Sequence, residues 1–152
     1  LQFGVRKPAS DYGHRATAFG IVERDGLIAC VRVERETGPY FDLPGGGVDM
    51  EETEVQALIR EFVEETGLTI TPAERIAEAS QYFVKTTGEA INNLAGFWTA
   101  SVVKEDPAAK SEPDHTLVWI DPNEAAASLR HEAHAWAVLV WIRSQPSGPG
   151  NS

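Results

Sequence analysis

The sequence predicts one domain of the α/β class (α+β by some schemes), and three observations carry that expectation. Strand-forming apolar runs flank an Asp25-Gly26 turn, a capped amphipathic stretch runs from Thr53 to Gly67, and further strand-like runs precede two helical ones towards the end of the chain. At 152 residues with 42% apolar content there is material for one core and too little for two. The domain is assigned to residues 1–145, and the Pro/Gly/Ser-rich segment 146–152 is expected to be a disordered tail.

Ala16 to Glu23 and Leu27 to Val33 are rich in strand formers, and the Asp-Gly pair between them is a strong hairpin signal. Pro39, Pro44 and Gly45-Gly46-Gly47 then break the pattern around Tyr40 to Leu43, giving a loop whose backbone can approach a ligand closely. A helix should start at Thr53, where Thr53-x-x-Gln56 forms a capping box, and stop at Gly67. Val55, Leu58, Ile59 and Phe62 fall on one face of it, while Glu54, Glu61, Glu64 and Glu65 fall on the other. Ile76 to Lys85 and Leu94 to Val103 read as strands joined through Thr87-Gly88, with Asn92-Asn93 as an irregularity. Leu117 to Ile120 is a short strand. Asp121 as N-cap and Pro122 at the first helical position predict a helix to about Leu129. A last helix over Glu132 to Arg143 should pack through Ala133, Trp136, Ala137, Val140 and Trp141.

Charge and composition narrow the function. A formal net charge of −10 would repel nucleic acid, whose unspecific binding depends on Lys and Arg, so no nucleic-acid polymer is expected as partner. A phosphorylated small molecule stays open, because bound divalent cations reverse the local sign of an acidic site. No run approaches the roughly 20 apolar residues that span a bilayer, and Leu1 to Arg15 has no apolar stretch like that of a secretory signal, so no membrane association is expected. Cys30 is the single cysteine and lies in an apolar run, which marks a buried strand residue rather than a nucleophile. That usage fits a cytoplasmic protein.

Glu61, Glu64 and Glu65 share a helix face at i, i+3 and i+4, so their charges repel one another. Solvent offsets such repulsion on an ordinary acidic face. Hard oxygen ligands on a rigid helix also suit Mg²⁺ or Mn²⁺, and the glycine run upstream can bring main-chain groups to the same place. Arg60 could hold one of these carboxylates or bind a phosphate.

Gly46-x5-Glu52-x7-Arg60-Glu61-Phe62-Val63-Glu64-Glu65-Thr66-Gly67-Leu68 resembles the Nudix box at every fixed position, and Leu43-Pro44-Gly45 is similar to the usual approach to it. The resemblance implies the family's α/β/α sandwich, a mixed β-sheet between helices. It also implies a hydrolase in which water attacks one phosphorus of a diphosphate linked to a further group, with Mg²⁺ (or Mn²⁺) as cofactor. On that basis Glu61, Glu64 and Glu65 supply metal ligands, the backbone at Gly45 or Gly46 adds one, and Glu52 and Arg60 organise the site. Glu61 could be ligand, base or both, so Glu61, Glu52, Arg60 and Glu64 form the expected catalytic set. Two departures stand out: Asp49 occupies a position where many members have Glu, and Glu51 replaces a common Gly.

Outside the box the sequence is less specific. A nucleoside triphosphate or related nucleotide is the broad expectation, with a non-catalytic nucleotide-sensing domain as the alternative and homodimerisation as a common property of the family. Ser80-Gln81 does not continue into the longer signature of NADH-cleaving members, and the downstream proline of ADP-ribose hydrolases is missing. Tyr82, Phe83, Trp98, His115 and Trp119 could stack on a base, although strand aromatics are commonly core. Glu89, Glu105, Glu112 and Asp114 could supply an extra ligand or base, with Glu112 and Asp114 preferred. His131 and His134 read as a helix-surface pair and receive no site.

Overall fold

The computed structural model describes residues 1–8 and 10–146; of the tail expected at 146–152, residues 147–152 lie outside the described residues. A short strand β1 (Gln2–Phe3) is followed by β2 (Gly13–Arg24) and β3 (Leu27–Val33). The turn between β2 and β3 has positive φ at both Asp25 (54°) and Gly26 (80°), the backbone a tight two-residue hairpin requires. Only the tip of this hairpin is paired, through Glu23↔Ile28 and Arg24↔Leu27. Beyond it the strands diverge. β3 turns aside to pair with β4 (Tyr40–Asp42) and β8 (His115–Ile120), while the three glycines of β5 (Gly45–Gly47) pair with the middle of β2.

The helix α1 (Glu54–Thr66) begins with the expected reciprocal cap, in which Thr53 Oγ1 accepts from Gln56 N–H at 3.1 Å and Gln56 Oε1 accepts from Thr53 N–H at 2.9 Å. It ends at Gly67 in the left-handed conformation, φ 76°. Leu58 and Phe62 are fully buried against Ala18, Val22, Leu68 and Ile70, each contributing about 1.5–3 kcal/mol. Strand β6 (Leu68–Val84) starts directly after the cap and forms a long antiparallel pair with β7 (Ala90–Glu105), which runs parallel to β2. Asn92 and Asn93 are regular members of β7, hydrogen-bonded on both sides. The irregularities lie instead near Thr69, Pro72 and Arg75, where proline withholds a ladder donor and the register shifts.

Two helices, α2 (Pro122–Ser128) and α3 (Glu132–Ser144), cover the other face. Alternate residues of β2 point to opposite layers: Phe19 and Ile21 meet Ala125, Ala133, Ala137, Val138 and Trp141, whereas Ala18 and Val22 meet α1. The product is a mixed sheet between helices, forked where β3 leaves β2. Cys30 is buried, and burial pushes its thiol up to about 12, as expected for a packing residue. Among the described residues no helix is long and apolar enough to cross a membrane.

Candidate active site

Arg60 joins the loop before α1 to the acidic face of the helix. Its Nε and one terminal nitrogen donate to the two oxygens of Glu52 at 2.8 Å each, the same terminal nitrogen reaches the Gly47 carbonyl at 3.0 Å, and the other donates to Glu61 at 3.0 Å and Glu64 at 3.3 Å. A planar guanidinium fork suits this multiple anchoring, which an ammonium could not reproduce. Asp49 lies 3.4 Å from Arg60 and donates its own N–H to Glu52 at 2.9 Å. These contacts, the Arg60 hydrogen bond first, hold the Glu52 carboxyl down to about 2. Glu51 adopts φ 75°, the left-handed backbone that explains why glycine is common at its position.

Glu65 lies one step deeper. It follows Phe62 by three residues and therefore points inward with the apolar stripe, where it is only 7% exposed. It accepts the Gly45 N–H at 3.2 Å. Burial first, and the Glu61 charge second, raise its carboxyl well above the ordinary range. Burial raises Glu61 as well, against the pull of Arg60. Two carboxylates in a poorly solvated corner resist ionising together. The glycines of β5 make the corner possible: a Cβ at Gly46 would lie 2.7 Å from Glu61 Cδ, and one at Gly45, whose φ is 144°, would lie 2.1 Å from the Ala18 carbonyl oxygen. Glu61 and Glu65, with Glu64 tied to Arg60 beside them, offer hard carboxylate oxygens that could hold Mg²⁺ or Mn²⁺, and a dication there would relieve the repulsion between Glu61 and Glu65. Glu54 does not join them, because it turns to Trp98 Nε1 at 3.0 Å and to Arg75 at 3.1 Å.

From this corner opens a cavity of about 400 Å³, within the usual range for small-molecule sites. Glu61, Glu65, Gly45 and Gly46 line it together with Phe83, Arg130 and His131. Arg130 is fixed there by Asp42, at 2.8 and 3.3 Å, with its guanidinium carbon 3.7 Å from the Tyr40 ring centroid. Burial raises the Asp42 carboxyl despite Arg130.

The surface reading of His131 and His134 is overturned: both are buried, His134 to 3% exposure. The inward stripe of α3 is Ala133, His134, Ala137, Val138 and Trp141, so the helix is rotated from the expected stripe, with Val140 only partly buried. His134 Nδ1 accepts the Leu43 N–H at 3.2 Å, and its ring packs 4.2 Å from Phe19. Burial pushes the imidazoles down, His131 to about 3. A neutral, hydrogen-bonded histidine packs as an aromatic, which a polarity count along the helix does not anticipate.

The segment before β8 docks on the end of α1, with the N–H groups of Ser111 and Glu112 both donating to the Glu64 carbonyl at 2.9 Å. It brings Glu112, Asp114 and His115 together, with one candidate ligand atom from each within 4.8 Å of the others. His115 Nδ1 lies 2.8 Å from Asp114, and its Nε2 lies 3.8 Å from Glu65. The hydrogen bond from His115, then that from Arg35, keeps the Asp114 carboxyl low. Glu89 and Glu105 are instead paired with Lys85 and Arg24 at 3.1 Å each. Of the aromatic candidates Phe83 and His115 line the cavity, Tyr82 packs on Tyr12, and Trp98 and Trp119 belong to the α1 layer.

Three neighbouring amides behave differently. Gln81 accepts the Ala133 N–H at 3.0 Å, and Asn92 exchanges hydrogen bonds with Gln2 at 2.9 and 3.2 Å. Asn93, beside Arg15 and Gln81 in the sheet, is 7% exposed and lines the cavity. Its Oδ1 is, among the described residues, the one buried side-chain polar atom without a hydrogen-bond partner. Such an atom costs about 1–3 kcal/mol. Sequence reasoning missed Asn93, Asp42, Arg130, Arg15 and Arg35, which are scattered along the chain and converge only through the sheet.

Comparison with known proteins is consistent with this architecture. The model of the NUDIX domain matches residues 13–142. An ADP-ribose pyrophosphatase of Methanocaldococcus jannaschii is 44% identical over 61 residues, 38% of this chain and 35% of that protein, so the match spans about a third of the relative. A CTP pyrophosphohydrolase of Escherichia coli is 31% identical over 107 residues, 69% of this chain and 74% of that one. Among solved structures, a NUDIX hydrolase from Nitrosomonas europaea superposes with a TM-score of 0.74 at 19% identity, covering 91% of this chain and 99% of that chain, which supports the fold.

Proposed function

The chain belongs to the Nudix hydrolase family, and we propose that it cleaves the phosphate-phosphate linkage of a nucleoside triphosphate or related nucleotide by attack of water on phosphorus. The observation that carries this reading is the meeting of Glu52, Arg60, Glu61 and Glu65 with the glycine strand, beside a nucleotide-sized cavity that Glu61, Glu65, Gly45 and Gly46 line together with Arg15, Arg35, Arg130 and Phe83. One relative is named an ADP-ribose pyrophosphatase and the other a CTP pyrophosphohydrolase, which supports a nucleotide-type substrate.

Glu61, Glu64, Glu65 and the backbone at Gly45 or Gly46 would hold Mg²⁺ or Mn²⁺. When bound, such a cation neutralises phosphate charge and makes a water easier to deprotonate. The chain's own groups divide the remaining work. Arg60, anchored on Glu52, fixes the direction of Glu61 and Glu64. Glu61 is close enough to the cavity to take a proton from the attacking water. Glu65 is held by the Gly45 amide, so α1 and β5 keep their separation.

The test is turnover of a panel containing the common nucleoside triphosphates, ADP-ribose, nucleotide sugars and dinucleoside polyphosphates, with Mg²⁺, with Mn²⁺ and with EDTA. Metal-dependent release of a nucleoside monophosphate is expected from at least one member. Failure across the panel would count against the reading, and tight binding without product would favour the nucleotide-sensing alternative.

A further inference from the structure

We infer that Asn93 is a specificity-determining residue that reads the base of the substrate, accepting a hydrogen bond from an exocyclic amino group such as that of cytosine or adenine. This deepens the nucleotide reading above and rests on it. The sheet brings Asn93 into the cavity beside Arg15, and its Oδ1 is enclosed without a partner while the amides next to it, Gln81 and Asn92, are satisfied. Buried acceptors are ordinarily paired, so a persistent exception in a cavity wall marks a place where a ligand supplies the donor. The terminal torsion of asparagine is broad, so a half-turn of the amide exchanges its carbonyl with its NH2 group and presents the carbonyl to the cavity.

The surroundings decide which edge it reads. Arg15, Arg35, Lys85 and Arg130 line the same cavity, and none can accept a hydrogen bond. A carbonyl edge would find donors among them without Asn93. An amino group would not. The carboxylates cannot serve either, since Asp42 is engaged by Arg130 and Glu61 and Glu65 belong to the phosphate-cleaving set in the functional reading. Thr17, Thr86, Thr87, Tyr40 and the neutral His131 also line the cavity and can accept, but among the described residues Asn93 Oδ1 is the buried side-chain acceptor left without a partner, and the Phe83 ring in the same cavity offers an apolar surface for the base.

The experiment compares wild type with Asn93→Leu and Asn93→Asp. Binding of CMP against UMP and AMP against IMP is measured by calorimetry, turnover of the matching triphosphates is measured with Mg²⁺, and Tm is followed for every variant. Wild type should prefer the amino-bearing member of each pair by about tenfold or more, as expected for a buried base contact. Asn93→Leu should flatten that preference without lowering Tm, because the amide has no internal partner for its carbonyl to lose, and Asn93→Asp should retain it. Equal binding of the pairs by wild type, a preference for UMP or IMP, or an unchanged preference in Asn93→Leu would overturn the assignment. A lowered Tm in Asn93→Leu would show a structural role instead. Monophosphate selectivity without triphosphate cleavage would uphold Asn93 and defeat the hydrolase reading, so the two can fail separately.

Discussion

The Glu61/Glu65 pair on α1 and the His131/His134 pair on α3 are both close pairs of titratable groups withdrawn from water, yet they are built in opposite ways. The histidines are neutral, ring-packed at 5.3 Å, and His134 is satisfied by a backbone N–H. The carboxylates face each other with burial working against their charge, which Arg60 and the Gly45 amide offset in part. Burial by itself therefore does not distinguish a functional pair from a packing pair. What separates them is whether the protein alone supplies the compensation.

Breaking the carboxylate side should give the largest effect. Glu65→Gln and Glu61→Gln remove a charge while keeping shape, and each should lower kcat/KM by about two to four orders of magnitude, the range for loss of a catalytic acid-base group. Metal-free Tm should stay level or rise, because a buried charge has been removed. Steady-state kinetics with Mg²⁺ and thermal melts in EDTA check both halves. Full activity in both variants would abolish the contrast between the two pairs.

On the histidine side the order should reverse. His134→Leu leaves the Leu43 N–H without its acceptor, a loss of about 1–3 kcal/mol of stability. The fraction that remains folded should keep its dependence on Mg²⁺. Urea unfolding gives the stability, and activity corrected for folded fraction gives the second half. A catalytic loss comparable with that of Glu65→Gln would mean that the α3 pair belongs to the chemistry after all.

The same contrast explains what the sequence revealed. The hairpin at Asp25-Gly26, the Thr53/Gln56 box and the Gly67 stop were legible because each rests on local backbone chemistry. The gathering of Glu52, Arg60, Glu61 and Glu65 was legible because helix periodicity and one short loop place them together. The charge of Glu65 grouped it with the outward glutamates, whereas its spacing from Phe62 turns it inward beneath β5. The distant wall of the cavity had no such handle. Arg15, Asp42, Asn93 and Arg130 meet through a parallel β2–β7 pairing and a forked sheet, long-range contacts with no local signature. His131 and His134 were misread because their polar type outweighed a rotation of the helix stripe that only packing determines.

The finest prediction uses the sign of the two sets of shifts. His131 is held near 3 in the folded protein, against about 6.5 when unfolded. Below pH 6.5 the unfolded chain takes up protons that the folded chain refuses, so this contribution is complete above 6.5 and is lost as pH falls towards 3. His134 shares the direction. Glu65, Glu61 and Asp42, raised by burial, act in the opposite sense: the folded chain binds protons first, and stability grows as pH drops through their folded values. In EDTA the two should partly cancel in wild type as pH falls below 6.5. Glu65→Gln removes one opposing group, so its stability should fall more steeply as pH is lowered, with His131 contributing about 1 kcal/mol between pH 6.5 and 5.5. Adding His131→Gln to that variant should reduce the slope again. Urea melts at pH 7.5, 6.5 and 5.5 on the three proteins decide it, since equal slopes would mean that the two buried pairs do not oppose one another.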